Sequence, residues 1–134
     1  MPTPHPIAHV GHFSIGTGAP GAQLLNAILS SPPNSNIVTG HGDSTQTTSP
    51  VLSANTAFSG VYHVLVFGSQ TTQVFSLHGT ALPPLLGAPH VTQLAITLDG
   101  LWGKKGTATY SYILGSELHV VKDVPVTVEW LLQS

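Results

Sequence analysis

Apolar and polar positions alternate most clearly in the last third of the chain. Leu94, Ile96 and Leu98 face one way and Gln93, Ala95 and Thr97 the other. Ala108, Tyr110, Tyr112 and Leu114 alternate with Thr107, Thr109 and Ser111, and Val126, Val128, Trp130 and Leu132 with Thr127, Glu129 and Leu131. A period of two is strand geometry, with one buried face and one wetter face. The run from Val61 to Phe67 is apolar on both faces, Val61, Leu65 and Phe67 against Val64 and Val66. It reads either as a central strand covered on both sides or as a strand whose outer face meets a partner. No long segment carries the helical period. The one rival is Ala22 to Leu29, whose Ala, Gln and Leu content also suits a short helix.

Gly, Pro, Ser and Asn separate these runs. Gly115-Ser116 suits a two-residue type II′ hairpin. Gly68-Ser69-Gln70-Thr71 links two more strands, and Ser31-Pro32-Pro33-Asn34 and Leu82-Pro83-Pro84-Leu85 each end a run. Short strands spaced by turns predict an all-β fold, an antiparallel β-sandwich or flattened β-barrel of about eight strands, mostly a meander. Residues 1–134 form one domain, with residues 1–6 a Pro-rich extended arm.

Charge changes the picture more than length does. Only 6% of residues are Asp, Glu, Lys or Arg, in a chain of 134 with no cysteine, against about 25% charged in an average soluble domain. Three basic residues in all cannot neutralise a row of phosphates or form a polybasic membrane patch. Nucleic acid and membrane insertion are therefore not expected as partners. A surface of Thr, Ser, Gln, Asn and Gly repels other copies weakly and favours self-association. No apolar run approaches the ~20 residues that span a bilayer, and Met-Pro-Thr-Pro-His-Pro at the N-terminus lacks a basic start and an apolar core. The default expectation is a cytoplasmic protein, with leaderless export or a mature secreted form also compatible.

Candidate chemistry is sparse. Gly16-Thr17-Gly18-Ala19-Pro20-Gly21 matches a dinucleotide-binding pattern and Asp43 follows at a ribose-binding distance. Pro20 interrupts the phosphate turn, however, and no βαβ series follows, so a Gly/Pro hairpin turn is the better reading. Among the eight histidines, His5 and His9 would share a face of an extended arm and His12 would not. His41 and Asp43 share a strand face, and His63 and His78 would oppose each other if their hairpin turned about Gln70-Thr71. Imidazoles with a carboxylate can bind zinc, but these spacings match no metal signature. His63 lies on the face of Val61, Leu65 and Phe67, which reads equally as a core histidine. With no nucleophile elbow, no cysteine and five scattered acids, an enzyme is not expected, nor is a cofactor.

Two features suggest recognition. Asp99-Gly100-Leu101-Trp102-Gly103-Lys104-Lys105-Gly106 gathers an indole, an acid and two amines between two strong strands, as sugar binding asks. In the alternative reading Trp102 folds back to cap the barrel end. Ser44 to Thr48 and Gln70 to Gln73 are uncharged Thr/Gln clusters that read, taken singly, as ordinary solvent-facing strand, and together as adhesive edges, because charged gatekeepers are missing.

The segment Val38-Thr39-Gly40-His41-Gly42-Asp43-Ser44-Thr45-Gln46-Thr47-Thr48-Ser49-Pro50 resembles the V-T-G-x-G-x-x-T-Q-x-T-x-P stretch of a small bacterial family known only as a domain of unknown function. The strand Gly106 to Tyr112 followed by Asp123-Val124-Pro125-Val126 is similar to that family's ending. The resemblance implies a bacterial origin and a small β-domain. It transfers no activity and no site residues.

The leading functional expectation is a non-enzymatic structural or interaction protein whose partner is itself, forming homo-oligomers or larger assemblies. Pro4, Pro6, Ile7 and Val10 of the arm, with Val61, Leu65 and Phe67, are its candidate contacts. A lectin-like module using Asp99, Trp102, Lys104 and Lys105 on carbohydrate is the alternative, and a barrel enclosing a small apolar ligand is another.

Overall fold

A computed structural model describes residues 8–16, 23–46, 52–84, 88–114 and 116–132, the side chains of Gln46, Leu52, Ser53 and Leu132 excepted. The arm at residues 1–6, with Ile7, lies outside the described residues, as do most of the Gly16–Gly21 pattern and Thr47 and Thr48. The strands are β1 His9–Ile15, β2 Gln23–Ser31, β3 Ile37–Gln46, β4 Leu52–Phe67, β5 Gln70–Ala81, β6 His90–Asp99, β7 Lys105–Leu114 and β8 Glu117–Leu132. Each pairs antiparallel with the next, and β8 returns to β1, with Phe13 opposite Val128 and Ile15 opposite Val126. The fold is thus an all-β meander closed into an eight-stranded barrel. Closure removes the lateral edges that an open sandwich would keep.

Alternation places one side of every strand inside. Phe13, Ile15, Leu25, Ala27 and Leu29 come from β1 and β2, and Leu94, Ile96, Leu98, Ala108 and Tyr110 from β6 and β7. An eight-stranded barrel is just wide enough for side chains to fill or to hold one small ligand. The segment open to a helical reading is strand β2: Leu25, Ala27 and Leu29 are buried at every second position between β1 and β3. No helix occurs among the described residues, which removes the structural basis for a dinucleotide site at Gly16.

Where strands cross closely, the wall admits no side chain. A Cβ at Gly79 would collide with the backbone oxygen of Val91 and press on Thr56. Thr56 is itself buried and accepts the Val91 amide through Oγ1 at 2.8 Å. Gly79→Ala should therefore destabilise by about 2 kcal/mol, as overpacking of a tight site does. Chemical denaturation of the variant checks this through its midpoint.

Strand lengths are unequal, and that shapes the surface. β4 outruns β3: their pairing ends at Ile37↔Val61, while β4 continues to Phe67 against β5. Its hairpin turns at Gly68-Ser69, with Gly68 at a φ of 60° in the first central position, as a type II′ turn requires. β8 likewise outruns β1 at the opposite end, since the β1–β8 ladder begins at Ile15↔Val126 and β8 begins at Glu117. The expectation that Val61 to Phe67 is covered on both sides does not hold. Val64, Leu65, Val66 and Phe67 are 41%, 45%, 65% and 75% exposed, because the strand rises past the rim of the wall.

Candidate functional site

The rim that carries the β4–β5 hairpin also carries the 99–106 loop, and the two meet over the barrel mouth. Tyr62 stands on β4 where the wall ends. Its ring packs at 5.1 Å and 66° to Trp102 and at 5.8 Å to Phe75. Trp102 lies flat on the imidazole of His9, with ring centroids 3.7 Å apart and planes 6° apart. It also meets Trp130 edge-on at 5.3 Å. Trp130 donates from Nε1 to the carbonyl of Gly103 at 3.0 Å, tying β8 to the loop.

The backbone of Trp102 is held as firmly as its ring. Its φ of 52° lies in the left-handed region, which costs a bulky residue about 1–2 kcal/mol. The Trp102 amide donates to Oε1 of Gln73 at 2.8 Å. Gln73 is fully buried, so this bond reaches from the core to the loop. The gaps among His9, Phe13, Leu29, Val38 and the two indoles are too narrow for water. The rings form a plug over the barrel end.

Burial lowers the pKa of His9 from its ordinary value of 6.5. The folded state thus resists a proton that the unfolded chain accepts. Stability from this group is complete above about pH 6.5 and is lost as pH falls towards the depressed value. The melting temperature should drop between pH 7 and pH 5, and His9→Phe, which keeps the stack without the charge, should flatten that drop. Thermal melts of both chains across the range decide it.

Other candidates fall apart in space. His63 pairs with Val74 and His78 with Ser59, because the hairpin turns at Gly68-Ser69 and not at Gln70-Thr71. The two histidines are not opposite each other. His63 is exposed and so is no core residue. His78 lies beside Gln93, Nδ1 to Nε2 at 3.3 Å. His41 and Asp43 both face outward on β3. Among the described residues no group of three or more His, Asp or Glu is placed to hold a metal ion. Ser44 and Gln73 leave the Thr/Gln surface clusters for the interior, where Ser44 accepts from Gln23 Nε2 at 2.8 Å. Tyr110 is buried too, and burial, then Tyr112, holds its phenol well above the ordinary range, so it stays neutral.

The chain matches the family described as "Domain of unknown function (DUF1842)" over residues 8–117. It belongs to the DUF1842 family. No curated protein matches it. The DUF1842 match runs from the residue before β1 to the first residue of β8. The segments Val38–Pro50 and Gly106–Tyr112 fall inside it, whereas Asp123–Val126 lies beyond it. In this DUF1842 barrel, Asp99, Lys104 and Lys105 are exposed around the plug, Val10 is half-buried in β1 and Val61 is half-buried at the last β3–β4 pair. Leu65 and Phe67 project beyond the wall. A shallow depression of about 310 Å³ on the outer wall of β5 to β8 is lined chiefly by Ser76, Gln93, Ala95, Thr109, Ser111 and Val120. None of these is charged.

Proposed function

We propose that this protein is a non-enzymatic structural or interaction protein that assembles with copies of itself. One observation carries the reading: β4 rises past β3 and leaves an apolar strand, Val64 to Phe67, exposed on both faces and open along one edge. Natural proteins guard such edges with lysine, proline or a bulge. Residues 61–67 hold no charged residue and no proline, and their pairing to β5 is unbroken. An exposed β edge is a template for another strand, whose main-chain hydrogen bonds give affinity.

The low overall charge supports the same reading, because it leaves copies little mutual repulsion. A carbohydrate site on the 99–106 loop has less support. Trp102 stacks one ring face on His9 and packs T-shaped against Tyr62 and Trp130, so its ring is engaged in the plug, whereas sugar stacking needs a ring presented to solvent. The test of self-association is particle mass by light scattering across a dilution series. Masses above one chain that fall on dilution support it, and a single-chain mass at high micromolar concentration overturns it.

A further inference from the structure

The open edge of β4 has a defined hydrogen-bond pattern. Phe67↔Gln70 closes the two-residue turn, so Phe67, Leu65 and His63 direct their N–H and C=O groups to β5. Tyr62 points the other way, its amide donating to the Asn36 carbonyl at 2.9 Å. Val64 and Val66 lie two and four residues further on and share that direction. Beyond Asn36 no described strand stands beside them. Two N–H groups and two C=O groups are therefore presented in a row, flanked by Leu65 and Phe67 on one face.

The chain carries a segment of matching form. Residues 2–6 read Pro-Thr-Pro-His-Pro. In an extended strand alternate residues direct their backbone groups to the same side. Thr3 and His5 would keep every N–H on one edge, while Pro2, Pro4 and Pro6 leave the other edge with no donor. Such a segment can pair along one side and blocks further pairing along the other. We propose that residues 2–6 of a second copy add antiparallel to the open edge of β4, with Thr3 opposite Val66 and His5 opposite Val64. This rests on the self-association reading above. The register sets Pro2 over Phe67, Pro4 over Leu65 and Pro6 over His63, so the pyrrolidine rings cover the exposed apolar face.

Reach favours exchange between copies over pairing within one chain. Within one chain the arm would cross two strand-to-strand steps from β1 to the place beside β4, about 10 Å at the usual spacing, and climb the four residues from Gly60, which the pairings bring level with His9, to Val64, about 13 Å. His5 lies four residues before His9 and reaches at most about 14 Å in an extended chain, short of the diagonal of roughly 16 Å. A second copy meets no such limit. The proline-blocked outer edge also ends the growth of the sheet at the docked arm, so each open edge takes one partner.

The chain has no cysteine, so disulfide trapping is clean. Pro4 and Leu65 form a non-hydrogen-bonded pair in this register, the closer of the two pair types. Chains carrying Pro4→Cys and chains carrying Leu65→Cys, mixed and mildly oxidised, should yield a linked heterodimer on a non-reducing gel. Deleting residues 2–6 should lower the particle mass to that of a single chain while the circular dichroism spectrum is kept. Leu65→Cys chains that link only to each other overturn the arm in favour of β4–β4 pairing. A Pro4→Cys/Leu65→Cys double variant that links within one chain overturns exchange between copies. If the deleted chain keeps the full particle mass, the arm loses its role and self-association stands. An intact chain that is already monomeric removes both.

Discussion

If the chain self-associates through the open edge of β4 as proposed, Val66→Lys should dissociate the particle without harming the barrel. Val66 is 65% exposed and lies outside the described wall, so the folded chain tolerates the change within about 0.5 kcal/mol. In a docked edge the same lysine would sit between two strands and would have to leave water or displace the partner. The expected weakening is about 100-fold in the dissociation constant, or about 3 kcal/mol at 1.4 kcal/mol per tenfold. Sedimentation or light scattering reads it as a shift of the dilution midpoint. An unchanged midpoint would place the interface elsewhere. Thr71→Lys is a useful companion, because Thr71 stands opposite Val66 on the strand already paired to β4 and a charge there leaves the open backbone edge intact.

Trp102→Ala should be the most damaging single change to stability. The ring touches His9, Tyr62 and Trp130 and packs against the core. Deleting a buried large aromatic costs about 3–5 kcal/mol. Because Trp102 is only partly buried, the lower end applies, about 3 kcal/mol, or about 10 °C in melting temperature for a chain of this size. Trp102→Gly should be less harmful than Trp102→Ala by about 1 kcal/mol, since glycine relieves the left-handed backbone while losing the same ring. That ordering is the reverse of what an ordinary loop position shows. Thermal melts of the two variants side by side test both the plug and its strain.

Much of the wall was legible in the sequence, for a physical reason. Leu94, Ile96 and Leu98 against Gln93, Ala95 and Thr97 differ strongly in polarity, and a half-buried strand writes that difference at every second residue. β2 is ambiguous in the sequence because the Ala, Gln and Leu content of Ala22 to Leu29 also suits a short helix, and the flanking β1 and β3 decide for the strand. Barrel rather than sandwich rests on β1 meeting β8, a pairing between the ends of the described chain that no local pattern records.

The site was harder to read. Parity alone groups His63 with Val61, Leu65 and Phe67, but it cannot show that β3 stops at the height of Val61. The exposure of these residues follows from a difference in length between two strands. The sequence does carry a signal for Gln73: it shares parity with Phe75 and Leu77, both buried on β5. Only its low hydrophobicity hid it among the surface polar residues. The loop that carries Trp102 is legible between two strong strands, whereas its partners His9 and Gln73 come from distant strands.

The closed wall makes the position of the chain ends interchangeable with any turn. Val10 stands opposite Leu132 across the β1–β8 ladder, so a short linker between them would turn the barrel into an endless ring of hairpins. Reopened at another turn, the permuted chain would keep all eight ladders and differ only in which strands are joined. Reopened between Gly68 and Ser69, it would build the same wall with β4 and β5 ending as two separate tips.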